Sequence, residues 1–164
     1  MHAYYDTGAL VPLYVGETFS DAVIEYAEAR NEPIPFGLLQ HVEIENAVRL
    51  KVFRREITEA MCRAVIDKVQ SHVSQGRLLL RPVNWIGALE AARRIGAQVT
   101  ASCGCRTLDL IHVATALQWG CSVFVTGDDR QIKAARYVRL ETVDVRELSR
   151  QAPDSGPSAG DLPF

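Results

Sequence analysis

An α/β fold is what this sequence predicts, on three observations. Apolar runs of strand length alternate with longer segments of helical period from one end of the chain to the other. One run, Val123-Phe124-Val125, is apolar at every position and passes at once into Thr126-Gly127-Asp128, the ending of a buried strand. The 164 residues, 48% apolar and 23% charged, suffice for one domain with a real core and are too few for two of ordinary size.

Residues 2–6 read as the first strand, and Thr7 as the N-cap of a helix over 8–15 that Pro12 strains. Ser20-Asp21 opens a helix to residue 29, and Ile34-Pro35-Phe36 is a brief extended segment. A longer helix covers 39–54, and Thr58 caps the next, over 59–75, which Gly76 stops. Leu78-Leu79-Leu80 reads as a buried strand ending before Pro82, and Asn84 caps a helix running to residue 98. Thr107 caps a helix over 108–119 that Gly120 ends, and 121–126 is the clearest strand. A short helix over 130–136 and a last strand over 140–145 complete a single domain over 1–150. From Gln151 onward Pro, Gly, Ser and Ala take over, so 151–164 reads as a disordered tail outside the fold.

No apolar run approaches the roughly 18 residues of a membrane span, and Met1-His2 leads into a strand with no signal-type block. A cytoplasmic protein without membrane contact is the default expectation. The net charge of −2 excludes the basic footprint of an indiscriminate nucleic-acid binder. Among Cys62, Cys103, Cys105 and Cys121 only Cys103-Gly104-Cys105 is a local pair, and it lacks the spacing and partners of a zinc knuckle. Reduced, mostly buried thiols are expected.

Four carboxylates stand where a solvated acid is out of place. Asp6 ends the first strand, where open parallel α/β sheets bind ligands, although an acid there can also serve a local turn. Glu43 falls on a helical face shared with Leu39, Val42, Ala47, Leu50 and Phe53, which predicts a core-facing acid. Glu45 points away toward Arg49 as an ordinary solvated pair. Asp109 is the only charge in the helix over 108–119, and first-turn placement alone does not offset the cost of burying it. Asp128 and Asp129 both follow the clearest strand; the division expected is Asp128 facing the cleft and Asp129 capping the helix. Thr7 and Thr126 then place hydroxyls at neighbouring strand ends. Acids gathered in one cleft repel each other unless a cation lies between them, and a hard divalent ion acting on a phosphate ester explains the gathering most simply.

The stretches that carry these acids resemble the PIN domain family, specifically the VapC-type ribonuclease toxins of bacterial toxin–antitoxin pairs. They are Tyr5-Asp6-Thr7-Gly8-Ala9-Leu10-Val11, Glu43 with Asn46-Ala47-Val48-Arg49, Arg106-Thr107-Leu108-Asp109-Leu110-Ile111-His112-Val113-Ala114-Thr115-Ala116, and Phe124-Val125-Thr126-Gly127-Asp128-Asp129-Arg130. The resemblance implies a three-layer fold whose central parallel sheet of four or five strands is flanked by helices. It implies Asp6, Glu43, Asp109 and Asp128 as the acidic site, with Thr7 and Thr126 beside it. It also implies Mg²⁺ or Mn²⁺, endoribonuclease activity, a homodimer and inhibition by a cognate antitoxin. Pro12, the Cys103-Gly104-Cys105 loop and the long tail have no place in the family pattern.

On this reading Asp6, Asp109 and Asp128 hold the metal directly or through water, and Glu43 ligates a second ion or orients the attacking water. Arg106 and Arg130 stand nearest the acids as phosphate contacts, with Arg49, Lys51, Arg54 and Arg55 as a more distant basic run. Ile44, Val48 and Val52 form a second apolar stripe, expected to be core before interface. His112 is read as a buried structural histidine, about 60° around the helix from Asp109. The competing readings are a catalytically silent PIN-like scaffold that binds RNA or protein, and an α/β phosphotransfer domain. The latter lacks an Asp-x-Asp pair, since position 8 is Gly.

Overall fold

The structure is a computed structural model that describes residues 2–151. The tail expected over 151–164 lies, apart from Gln151, outside the described residues. The described strands are β1 (Ala3–Tyr5), β2 (Ile34–Phe36), β3 (Leu78–Leu80), β4 (Val123–Thr126) and β5 (Glu141–Asp144). The helices are α1 (Thr7–Leu10), α2 (Ser20–Arg30), α3 (Leu38–Phe53), α4 (Glu59–Ser74), α5 (Trp85–Cys103), α6 (Thr107–Gln118), α7 (Asp129–Tyr137) and α8 (Val145–Gln151). The class is α/β with parallel pairing, as the sequence implied. The strands divide, however, into a sheet ordered β1-β4-β5 and a separate β2-β3 pair, where one sheet of four or five strands was expected.

Register explains how the acids come together. Ala3 stands opposite Val123 and Tyr5 opposite Val125, so Asp6 leaves β1 beside Thr126 at the end of β4. Side chains alternate along both strands. Tyr4 and Phe124 enter one apolar cluster with α5, α6 and α7, while Ala3, Tyr5, Val123 and Val125 enter a second with α2, α3 and α4. Where the two sheets meet, β2 lies against β1, and buried Gln40 spans the join. Its Oε1 accepts from the Gly37 N–H at 2.9 Å and its Nε2 donates to the Tyr5 carbonyl at 2.7 Å. The side-chain amide thus caps the start of α3 with its oxygen and satisfies the last carbonyl of β1 with its nitrogen.

Several local expectations are corrected. Asp6, not Thr7, is the N-cap of α1, its Oδ1 accepting from the Ala9 N–H at 2.8 Å. Pro12 strains nothing, because α1 passes at Val11 into a 3₁₀ turn over Val11–Leu13, near whose start a missing N–H costs no bond. α3 buries Gln40 together with Ile44 and Val48 of the stripe read second, whereas Val42 is 58% and Phe53 84% exposed. Periodicity locates two apolar faces on this helix but does not say which one the core takes.

α5 continues to Cys103 because Ile95 and Val99 extend its buried face, and Gly104 stops it with a left-handed φ of +71°. The Cys-Gly-Cys stretch is therefore a helix stop, with all four cysteines free. α8 was not anticipated; the Asp144 carboxylate accepts from the Arg146 N–H and starts it. No described helix is long and apolar enough to cross a membrane.

Gln40→Ala leaves a buried N–H and a buried C=O without partners and is expected to destabilise the domain by about 3 kcal/mol in urea titrations. Stability matching wild type would show that the join between the sheets does not depend on this amide.

Candidate active site

The carboxyl end of β1, the start of α1, the middle of α3 and the first turn of α6 border one open cleft of about 450 Å³. Asp6, Thr7, Gly8, Glu43, Arg106, Asp109, His112 and Gln131 are among its walls. Three of the four acids expected at the site thus face one space, drawn from segments far apart in sequence.

Asp6 is buried, and every group bound to its carboxylate is neutral: the Ala9 N–H on Oδ1 and the Thr126 hydroxyl on Oδ2 at 2.8 Å. Burial pushes its pKa up to about 6, against the pull of the His112 ring and these hydrogen bonds, and Glu43 adds to the rise. Gly8 keeps the approach open, since even a Cβ there would stand 3.4 Å from Asp6 Oδ2. Thr126 has no exposed surface and also accepts from the Asp128 N–H at 3.0 Å. Its hydroxyl therefore orients the acids and does not face the cleft.

Glu43 is half-buried. Its Oε2 accepts from the Thr7 hydroxyl at 2.6 Å and lies 2.8 Å from His112 Nε2. Burial acts to raise its pKa, but the hydrogen bonds from His112 and the Thr7 hydroxyl outweigh it and leave Glu43 below the ordinary carboxylate range. Asp109 is buried at the third position of α6. Its Oδ2 accepts from the Arg106 N–H at 2.7 Å and its Oδ1 from Gln131 Nε2 at 3.2 Å. The carboxylate itself satisfies the helix start for which Thr107 was the expected cap.

Asp128 does not line the cleft. It caps α7 through the Arg130 N–H and is forked by the Arg130 guanidinium, which holds it below the usual carboxylate range. The expected division between the two neighbours is reversed: Asp128 caps the helix, while Asp129 is exposed and pairs with Arg146. Arg130 also reaches within 4.0 Å of Asp109 Oδ2, so one guanidinium stands between the two acids.

The remaining cations separate by position. Arg106 lines the cleft, Arg49 pairs with Glu45, and Lys51 is held by Glu17 and Glu56. Arg54 lies about 16 Å along the α3 axis from Glu43, too far to touch a phosphate bound at the acids.

His112 is buried, as expected, but its place beside Glu43 at the cleft went unread, and neither Tyr4 nor Gln131 was singled out. For His112 the signal was present, because residues three apart on a helix are neighbours on one face, and Asp109 and His112 share the cleft-facing side of α6. Nothing in the sequence placed Gln131 against Asp109.

Among the described residues, no three His, Cys, Asp or Glu side chains stand close enough to form a ready-made metal shell. The donor chemistry nevertheless fits a hard divalent ion. All the cleft acids offer oxygen, each acid keeps at least one oxygen with a free lone pair, and the buried Gln131 Oε1 has no hydrogen-bond partner. Mg²⁺ keeps several waters and needs only one or two carboxylates beside a substrate phosphate.

No family model and no curated protein matches the chain.

The elevated Asp6 pKa has a definite sign. Between the unfolded value near 4 and the folded value of about 6 the native state holds the extra proton, so stability is lost as pH rises through that window. Keeping Asp6 ionised above it costs about 3 kcal/mol. Asp6→Asn, which can still cap α1, is expected to be more stable than wild type by about 1–3 kcal/mol near pH 7.5, with the gap closing near pH 4. Denaturant titrations at both pH values check this, and a gap independent of pH would contradict it.

Proposed function

We propose that this chain is a metal-dependent endoribonuclease of PIN-like, three-layer build. The observation that carries the reading is the convergence of Asp6, Glu43 and Asp109 on one cleft, with Asp6 kept buried and without a basic side chain bound to it. A binding scaffold has no need to hold such an acid at a cost in stability, whereas a centre that receives a cation and a phosphodiester does.

Asp6 and Asp109 are the residues that would hold Mg²⁺ or Mn²⁺, directly or through water, with Glu43 orienting the attacking water. A bound ion of this kind supplies an acidified water and neutralises charge on the scissile phosphate. Arg106, exposed at the rim, offers a contact to the RNA backbone. Thr7 and Thr126 act by orienting Glu43 and Asp6, and Arg130 keeps Asp128 neutralised beside Asp109. In the cell the role proposed is that of a cytoplasmic toxin, acting as a homodimer and held inactive by its cognate antitoxin.

Asp6→Asn and Asp109→Asn are each expected to lower Mg²⁺- or Mn²⁺-dependent cleavage of RNA at least about 100-fold, with the circular dichroism of a folded chain retained. A fluorogenic phosphate monoester should remain intact, which separates the nuclease from a phosphotransfer enzyme. Full activity in both variants, or RNA binding without cleavage by the wild type, would overturn the assignment.

A further inference from the structure

Two buried polar side chains, His112 on the cleft wall and Tyr4 behind it, have no part in that reading. Tyr4, on β1, has no exposed surface, and His112, on α6, is 2% exposed. The Tyr4 hydroxyl lies 2.7 Å from His112 Nδ1, and His112 Nε2 lies 2.8 Å from Glu43 Oε2. Thr7 donates to the same Oε2 at 2.6 Å. The row Tyr4–His112–Glu43 thus runs from the interior of the sheet to the cleft and ties β1, α6 and α3 together.

The roles along this row follow from which groups can donate. A carboxylate only accepts, so the nitrogen facing Glu43 must carry a hydrogen. In the neutral ring the other nitrogen is then an acceptor, and the Tyr4 O–H is placed to donate to it. Reversing the tautomer would set a lone pair of Nε2 against Oε2, a repulsion that no turn of the phenol hydroxyl relieves. With two donors on Oε2, Oε1 is the Glu43 oxygen that accepts from no described residue.

Resting on the nuclease reading, we propose that Tyr4 and His112 are positioning residues: Tyr4 fixes the imidazole with hydrogen on Nε2, and His112 pins Oε2 of Glu43 so that Oε1 is presented to the reacting water. A carboxylate held on one side by two donors keeps one orientation without being reordered at each turnover. The buried row also accounts for a tyrosine and a histidine within an otherwise apolar packing of Phe124 and Trp119, both of which touch the Tyr4 ring.

Two substitutions at position 112 separate the two ends of the ring. His112→Gln retains a side-chain N–H near the place of Nε2 and can still donate to Glu43. His112→Asn reaches toward Tyr4 but not to Glu43. H112N is expected to lower kcat about 10–100-fold at unchanged KM, while H112Q stays within about threefold of wild type. Tyr4→Phe keeps the ring volume and carries the test should H112N not fold; its kcat is expected to fall while KM holds.

Nitrogen-15 NMR supplies a readout independent of cleavage. The wild-type His112 ring should show hydrogen on Nε2, and Y4F should mix the tautomers. Hydrogen on Nδ1 in the wild type overturns the proposal, as does an H112N variant as active as wild type. A wild type that cleaves no RNA overturns the nuclease reading and this catalytic role together. An active wild type with indifferent His112 variants overturns only the role.

Discussion

The buried carboxylate of Asp6 is the constraint around which the rest of the site is arranged. An ionised acid in this position is held by one backbone N–H and one hydroxyl, with Glu43 adding repulsion. Each element bordering the cleft answers that charge in some way. α1 begins there because Asp6 caps it, and Thr126 at the end of β4 donates to that carboxylate. Gly8 leaves the carboxylate open, and His112 lends its ring from α6. Stability is given up at this point and recovered in the two apolar clusters around the three-stranded sheet.

Around Asp6 the polar groups fall into two sets. On one side Thr7, Glu43, His112 and Tyr4 form a hydrogen-bonded row leading inward. On the other, Gln131, Asp109, Arg130 and Asp128 form a network in which the guanidinium offsets two acids. The first set fixes the orientation of one carboxylate, and the second gathers charge and partly cancels it. Such a division suits a centre where one acid handles a water while others face a cation.

The parts of this arrangement that were legible in the sequence are those decided locally. Asp6 and Asp128 stand just beyond β1 and β4, where an apolar run stops, and Asp109 is conspicuous because every neighbour in α6 is uncharged. What depends on a distant partner was not legible. α3 carries two apolar stripes, and only its packing against α4 and the turn after α1 selects Ile44 and Val48 as core. Asp128 and Asp129 are equally able to cap α7, and it is Arg146, arriving from α8, that draws Asp129 outward. The division of the strands into two sheets, with Gln40 joining the Tyr5 carbonyl to the Gly37 N–H between them, is likewise a matter of distant partners. The burial of His112 was legible from its helix, but a helical wheel does not show a tyrosine behind it and a glutamate in front.

The proposed nuclease chemistry requires that Asp6 and Asp109 border a seat for one hard divalent cation. Anomalous scattering from crystals grown with Mn²⁺ tests it most directly. The account expects a single strong peak in the cleft, with an oxygen of Asp6 or Asp109 within about 2.3 Å of it and waters completing the shell. A cleft without a peak at saturating Mn²⁺, or a peak held only by residues outside it, would contradict the account.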